Sequence, residues 1–293
     1  MKFGVAFANI LGWAGGPGAI EAARAAEATG FDSFWTIEHV IFPDKYESEY
    51  PYSPDGKMPA ERSTSMPDPL IWLSYIASAT TTLRLATGIL ILPQRNPVVL
   101  AKEVATLDAL SGGRVTLGIG VGWLKEEFDA LGIDWARRGD RTDDYIAAMR
   151  ALWAADGASH HGEFASFDDV SSNPKPVANN IPVIIGGHSK AAARRAGRIG
   201  DGLFPGKGSI AQLTELFDIA RQEAATAGRD PAALEFTAGS EAVFGSDPVG
   251  AVEELAAAGV HRVIVPSYMV MFPNAPDAMA AFAEKVIAPT ASS

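Results

Sequence analysis

At 293 residues with 47% hydrophobic content, the chain can bury one large core, and its length suits a single (β/α)8 barrel better than two small domains. A formal net charge of −11 and the scarcity of lysine clusters argue against nucleic-acid and anionic-membrane partners, which need a concentrated positive field. The absence of cysteine excludes disulfides, thiolate metal ligands and a thiol nucleophile, and no apolar stretch approaches the ~20 residues that span a bilayer, so a cytoplasmic location is expected.

Lys2 to Ala8 reads as the first strand rather than a signal peptide, because Asn9 and Gly12 interrupt a short apolar core. A glycine-rich loop over 9–18 carries Trp13, and the alanine-rich helix 19–29 ends at Gly30. Strand two, 33–37, delivers Glu38 and His39 to its C-terminal end, the rim where barrel enzymes place their chemistry. Residues 42–66 then break all periodicity, with Tyr46, Tyr50 and Tyr52 among prolines and charges; we read this stretch as a substrate lid. A helix over 68–80 follows.

The next unit is the one around which the chain is organised. Residues 83–92 form a nearly continuous apolar run closed by Pro93, as expected of a parallel strand buried on both faces. From Pro97, Leu100, Val104, Leu107 and Leu110 recur at helical spacing until Ser111-Gly112-Gly113 stops the helix. The strand 115–119 runs into Gly120-Val121-Gly122, where missing side chains would let a flat ligand approach the backbone.

A helical segment to Leu131 and a long helix over 137–153 lead to a polar stretch, 155–177, with His160-His161-Gly162-Glu163 in a short hairpin. Strand 181–185 ends in Gly186-Gly187-His188-Ser189 directly before a helix over 190–198, the arrangement that gathers free N–H groups for an anion. Strands over 201–204, 234–238 and 261–265 alternate with helices over 210–227, 248–258 and 276–286, and the tail from 289 to 293 reads as disordered. Eight strand and helix pairs predict one α/β domain over 1–288, a TIM barrel with a parallel sheet.

Several lookalike motifs fail. Gly118-x-Gly120-x-Gly122 has Trp123 where a dinucleotide fingerprint needs its third glycine, and 202–209 has the wrong spacing for a phosphate loop. His160 and His161 lack a metal-ligand pattern, so no metal is expected. His39 suits proton exchange with a substrate oxygen, although spacing alone equally admits a structural histidine. By pattern alone, 186–189 is an ordinary strand-to-helix turn, and Trp13, Trp35 and Trp123 are core residues.

The pattern AK-x2-ATLD-x-LS-x-GR-x3-G-x-G-x-GW, read from Ala101 to Trp123, resembles the luciferase-like monooxygenase superfamily. Trp35-Thr36-Ile37-Glu38-His39, Tyr50-Pro51-Tyr52 with Asp55-Gly56, Arg137-Arg138-Gly139-Asp140-Arg141 and 184–189 are similar to its subgroup of coenzyme F420-dependent oxidoreductases. The resemblance implies a barrel of the bacterial-luciferase type with a deazaflavin at the C-terminal rim, FMN being the alternative. It implies a non-prolyl cis peptide at Gly88-Ile89 behind the ring, Gly120, Val121 and Gly122 along the cofactor, and Gly186, Gly187, His188 and Ser189 at its phosphate. His39 would stand near the reacting carbon with Glu38 beside it as the catalytic pair, and Trp13, Trp123, Tyr50 and Tyr52 would line the substrate pocket.

Two departures bear on substrate and cofactor. Val121 stands where luciferase-type relatives can carry an arginine for the flavin phosphate, and Trp123 where sugar-phosphate dehydrogenases of the group carry a catalytic glutamate. The expected function is therefore hydride transfer between the deazaflavin C5 and a small organic molecule other than glucose 6-phosphate. The alternatives are an oxygen-using monooxygenase fed with reduced FMN, and a non-catalytic cofactor-binding protein. A homodimer and a separate cofactor reductase are implied as partners.

Overall fold

The computed structural model describes residues 1–61, 63–206 and 208–291. Eight parallel strands close into a barrel: β1 (Lys2–Ala6), β2 (Ser33–Thr36), β3 (Arg84–Thr87), then, past a two-residue rim strand β4 (Leu90–Ile91), β5 (Val115–Gly120), and, past an antiparallel hairpin of β6 (Ala158–His161) and β7 (Ser166–Val170), β8 (Val183–Gly186), β9 (Gly202–Gly206), β10 (Glu235–Ala238) and β11 (Arg262–Pro266). The ring is sealed where β1 pairs with β11, Lys2 opposite Arg262, and where β3 pairs with β5, Leu85 opposite Val115. This is a TIM barrel.

Helices α1 (Gly16–Ala28), α2 (Pro69–Ala77), α3 (Pro97–Ser111), α4 (Lys125–Ala130), α5 (Arg138–Ala154), α6 (Lys190–Ile199), α7 (Ile210–Thr226), α8 (Pro248–Ala257) and α9 (Ala275–Phe282) surround it. Among the described residues, no helix is long and apolar enough to cross a membrane. The sequence sets their ends. The Asn96 carboxamide accepts the Val98 and Val99 N–H groups at the start of α3, Pro97 takes its first turn, and Gly112 leaves it at φ 72°.

The 83–92 run is one strand by hydropathy but two by geometry: β3 stops at Thr87, the chain bulges at 88–89, and β4 resumes against β5. The peptide between Gly88 and Ile89 is cis, at the place the family resemblance implies. The chain end departs from expectation. A π turn over 283–287 continues into a last helical turn, Ala288–Thr290, with Thr290 buried, so 289–290 are helical rather than disordered; Ser292 and Ser293 lie outside the described residues, as does Lys207 of the phosphate-loop lookalike.

The barrel interior is filled, not hollow. At its base Arg262, 2% exposed at the side chain, bridges Asp32 and Glu235 and lies 5.4 Å from the Trp35 ring. Trp35 fills the next layer, fully buried, with its indole N–H donated to Ser33 Oγ at 2.9 Å and Phe204 against its edge. A Cβ on Gly4 would meet the Trp35 indole nitrogen at 2.8 Å and one on Gly88 its ring Cε3 at 3.1 Å, so both glycines leave room for that ring. Trp13 is core as well. It stacks on Phe34 at 5.8 Å, in the layer between barrel and helices, while its carbonyl takes the Trp72 indole N–H. It is therefore not part of a substrate pocket, because Phe34 and Trp35 alternate across the strand and only Trp35 faces the barrel axis.

Candidate active site

The C-terminal rim is built around the 88–89 bulge. Ile89 lies across the positions where Gly120 and Gly186 lack side chains; a Cβ on Gly186 would meet Ile89 Cγ2 at 2.5 Å, and one on Gly120 would collide with Ile89 Cδ1. At both positions the missing side chain makes room for that of Ile89. Gly122, at φ 85°, similarly makes room for Phe128. What faces the rim is a half-buried platform at the cis peptide of Gly88 and Ile89; Val121, just past the end of β5, is half-buried too.

Glu38 holds that platform in place. Its Oε2 accepts the Ile91 N–H at 2.7 Å and its Oε1 accepts Arg95 Nε at 3.0 Å, with Arg95 Nη2 bridging Oε1 to Asp68 Oδ2. Asp68 uses its other oxygen to cap α2 through the Leu70 and Ile71 N–H groups. Burial pushes the Glu38 carboxyl up, against the Arg95 guanidinium and the Ile91 amide. Both Glu38 oxygens are thus occupied by Ile91 and Arg95, and its side chain does not pair with that of His39, its neighbour in the chain.

The partner of His39 comes from 88 residues further along the chain: His39 Nδ1 lies 3.2 Å from Glu127 Oε2. Glu127, buried in the first turn of α4, also accepts Gln94 Nε2 on Oε2 (3.1 Å) and the Val40 and Ile41 N–H groups on Oε1 (2.6 and 3.3 Å). Burial raises this carboxyl, but the hydrogen bonds from His39, Gln94 and the Ile41 amide outweigh it and hold it low. Among the described residues, Gln94 Oε1 is buried without a partner and His39 Nε2 has no protein hydrogen bond.

The stretch 42–66, of which Arg62 lies outside the described residues, folds over this corner. His39, Phe42, Tyr46 and Tyr50 gather on Trp123, with ring centroids 5.1–5.9 Å apart along the chain of contacts, and Tyr52 packs on His188 at 4.9 Å. Of the four residues expected to line a substrate pocket, Trp123, Tyr50 and Tyr52 thus meet at one place. Burial, with Tyr50 adding to it, pushes the Tyr52 hydroxyl up to about 12.

Glu126 ties the lid down, accepting the Glu47 and Ser48 N–H groups (2.7 and 3.2 Å) and the Ser48 hydroxyl (2.7 Å). Burial raises its carboxyl, but these bonds outweigh that and bring it down to about 2. A folded-state value below the ordinary 4.5 means that the clamp is present above that pH and is lost only as pH falls toward 2. At pH 4 the wild-type lid is therefore expected to resist pepsin, whereas Glu126→Ala should be nicked within 42–61; equal cleavage of the two would contradict the clamp.

At the far side of the rim, Gly187 (φ 120°) turns the chain from β8 into α6, and Ser189 caps that helix by accepting the Ala192 N–H at 3.2 Å. A cavity of about 430 Å³ opens there, lined by Tyr52, His188, Gln212, Gly239, Ser240 and Glu241. Arg138 stacks on Trp135 at 3.6 Å and donates to the Gly122 carbonyl at 3.3 Å, bringing a cation to the end of β5. His160 is a partner of Asp144 at 2.6 Å in the expected hairpin, apart from the rim. The platform at 88–89, the start of α6 and the uncommitted polar atoms of Gln94 and His39 fit a ring with an anionic tail.

Residues 1–286 match the family model described as luciferase-like monooxygenase. The chain belongs to that family. It is 39% identical over 165 residues to an uncharacterised protein of Mycobacterium tuberculosis, a match spanning 56% of this chain and 58% of that one. It is 34% identical over 157 residues to an FMNH2-dependent dimethylsulfone monooxygenase of Pseudomonas putida, covering 52% of this chain and 43% of the relative. Among solved structures, the coenzyme F420-dependent tetrahydromethanopterin reductase of Methanopyrus kandleri superposes over 99% of both chains with a TM-score of 0.77; at 17% identity this likeness is one of fold.

Sequence reasoning missed Glu127, Glu126, Gln94 and Arg95. Acidic residues in a first helical turn are ordinary partners of the helix dipole, so Glu126 and Glu127 carried no separate signal. Arg95, a cation directly after a buried apolar run, was the one legible hint that a buried carboxylate lay nearby.

Proposed function

We propose that the chain is a coenzyme F420-dependent oxidoreductase acting on a small organic substrate, with reduced FMN and oxygen as the second reading. The observation that carries the first is the rim itself, where the cis peptide of Gly88-Ile89, the His39–Glu127 pair and Val121, in place of a phosphate-binding arginine, stand at the ends of neighbouring strands. The match to the M. kandleri reductase over both whole chains supports it. The second reading is favoured by the likeness to the FMNH2-dependent dimethylsulfone monooxygenase of P. putida.

When bound, the deazaflavin would supply or accept the hydride at its C5. The chain does the rest: Gly88 and Ile89 support the ring, the α6 start and 186–189 take the anionic tail, the lid tyrosines and Trp123 exclude water, and His39 exchanges a proton with the substrate oxygen. A homodimer and a separate reductase that recycles the cofactor belong to this reading.

Fluorescence titration with oxidised F420 and, separately, with FMN tests it. Tight binding of F420 alone is the expected outcome. Preference for FMN would replace this reading with the monooxygenase, and binding of both without turnover of any substrate would favour a carrier protein.

A further inference from the structure

We propose that Glu127 is the positioning residue that fixes His39 as the Nδ1–H tautomer, so that Nε2 is the atom that exchanges the proton with substrate. This deepens the functional reading above and rests on it for the identity of the reaction, though not for the geometry.

The argument is a count of donors. An ionised carboxylate has only acceptors, and two of the four groups around Glu127, the Val40 and Ile41 amides, are donors that cannot be reassigned. They converge on Oε1 and hold the group ionised. Gln94 meets Oε2 with its NH2 end; turned the other way it would set oxygen against oxygen, and the cost of the chosen orientation is visible in the buried Oε1 left without a partner. The fourth contact, Nδ1 at 3.2 Å, is attractive only if Nδ1 carries hydrogen. In the neutral ring Nε2 then holds the lone pair, and Nε2 is the nitrogen without a protein partner among the described residues.

The consequence is chemical. Were a hydroxyl substrate oxidised here, with the bound cofactor as hydride acceptor, its O–H proton would pass to Nε2 and Glu127 would face the imidazolium that results. Reduction of the carbonyl runs the same transfers backwards, with the imidazolium Nε2–H protonating the oxygen. The same carboxylate anchors the Val40 and Ile41 amides that lead into the lid, so the histidine is seated correctly where the lid root is seated. Glu38 cannot share this role, because Arg95 and Ile91 occupy it.

The test reads the tautomer directly. Protein labelled with 15N-histidine, free of cofactor and at neutral pH, is expected to show a protonated Nδ1 and a pyridine-type Nε2 for His39, assigned by loss of the signals in His39→Gln. An Nε2–H tautomer in the wild type overturns the proposal without any further variant. In Glu127→Gln, whose carboxamide oxygen still accepts the Val40 and Ile41 amides while its NH2 donates toward Nδ1, the tautomer should shift to Nε2–H and kcat fall by about 10²-fold or more with KM and cofactor affinity nearly unchanged; a kcat within about threefold of wild type would equally overturn it. Glu126→Gln, which loosens the lid without touching His39, should leave the tautomer as it is. Because the spectrum needs no cofactor, failure to bind F420 would sink the functional reading and leave this result standing.

Discussion

Replacing His39 by alanine is expected to lower turnover by about 10²–10⁴ while leaving cofactor binding and fold intact, the range general acid–base catalysis contributes. The side chain is 9% exposed and wedged between Phe42 and Trp123, so the change leaves a small gap in the lid corner rather than in the barrel core. Glu127 keeps its Val40, Ile41 and Gln94 donors, and the platform at Gly88 and Ile89 depends on Glu38 and Arg95, which do not touch His39. Binding and chemistry should therefore separate. His39→Gln, which can still donate to Glu127, serves as the structural control and should be as slow as the alanine variant. If either variant binds cofactor with wild-type affinity and turns over at the wild-type rate, His39 does not handle the proton.

The barrel and the rim placement of Glu38 and His39 were legible because each rests on a local pattern. Apolar runs bounded by glycine and proline marked the strands, and a strand that ends in Glu38-His39 must present those residues at the rim. What the pattern could not resolve was which residue each rim group faces. Glu38 and His39 are neighbours in the chain, yet their side chains diverge to Arg95 and Glu127, 57 and 88 residues away. Proximity in sequence was read as partnership in space, and alternation across an extended backbone defeats that inference. Glycines are ambiguous in a related way: an absent side chain makes room without saying for what, and at Gly120 and Gly186 the occupant is Ile89. Trp13 shows the converse, since a tryptophan in a glycine-rich loop carries no mark of whether its loop folds over the rim or back into the helix layer.

These contacts give Glu38→Ala a different expected outcome from the one a catalytic role would predict. A catalytic carboxylate at the surface of a cavity could be removed with loss of rate and little loss of stability. Here the side chain of Glu38 is 2% exposed and its removal leaves the Ile91 N–H unpaired and the Arg95 guanidinium with Asp68 alone. Breaking a buried pair from one side costs about 3–5 kcal/mol, and the retained Asp68 contact places this case near ~3. Denaturant unfolding should show that loss as a lower midpoint with an unchanged slope. Because Ile91 lies two residues past Ile89, the platform should loosen too, and cofactor affinity should fall by about tenfold or more, ~1.4 kcal/mol. His39 and Glu127 are untouched, so turnover at saturating cofactor should stay within a few-fold of wild type. Stable protein with full cofactor affinity and abolished turnover would restore Glu38 to the chemistry; lost stability and lost affinity with preserved turnover would place it under the platform.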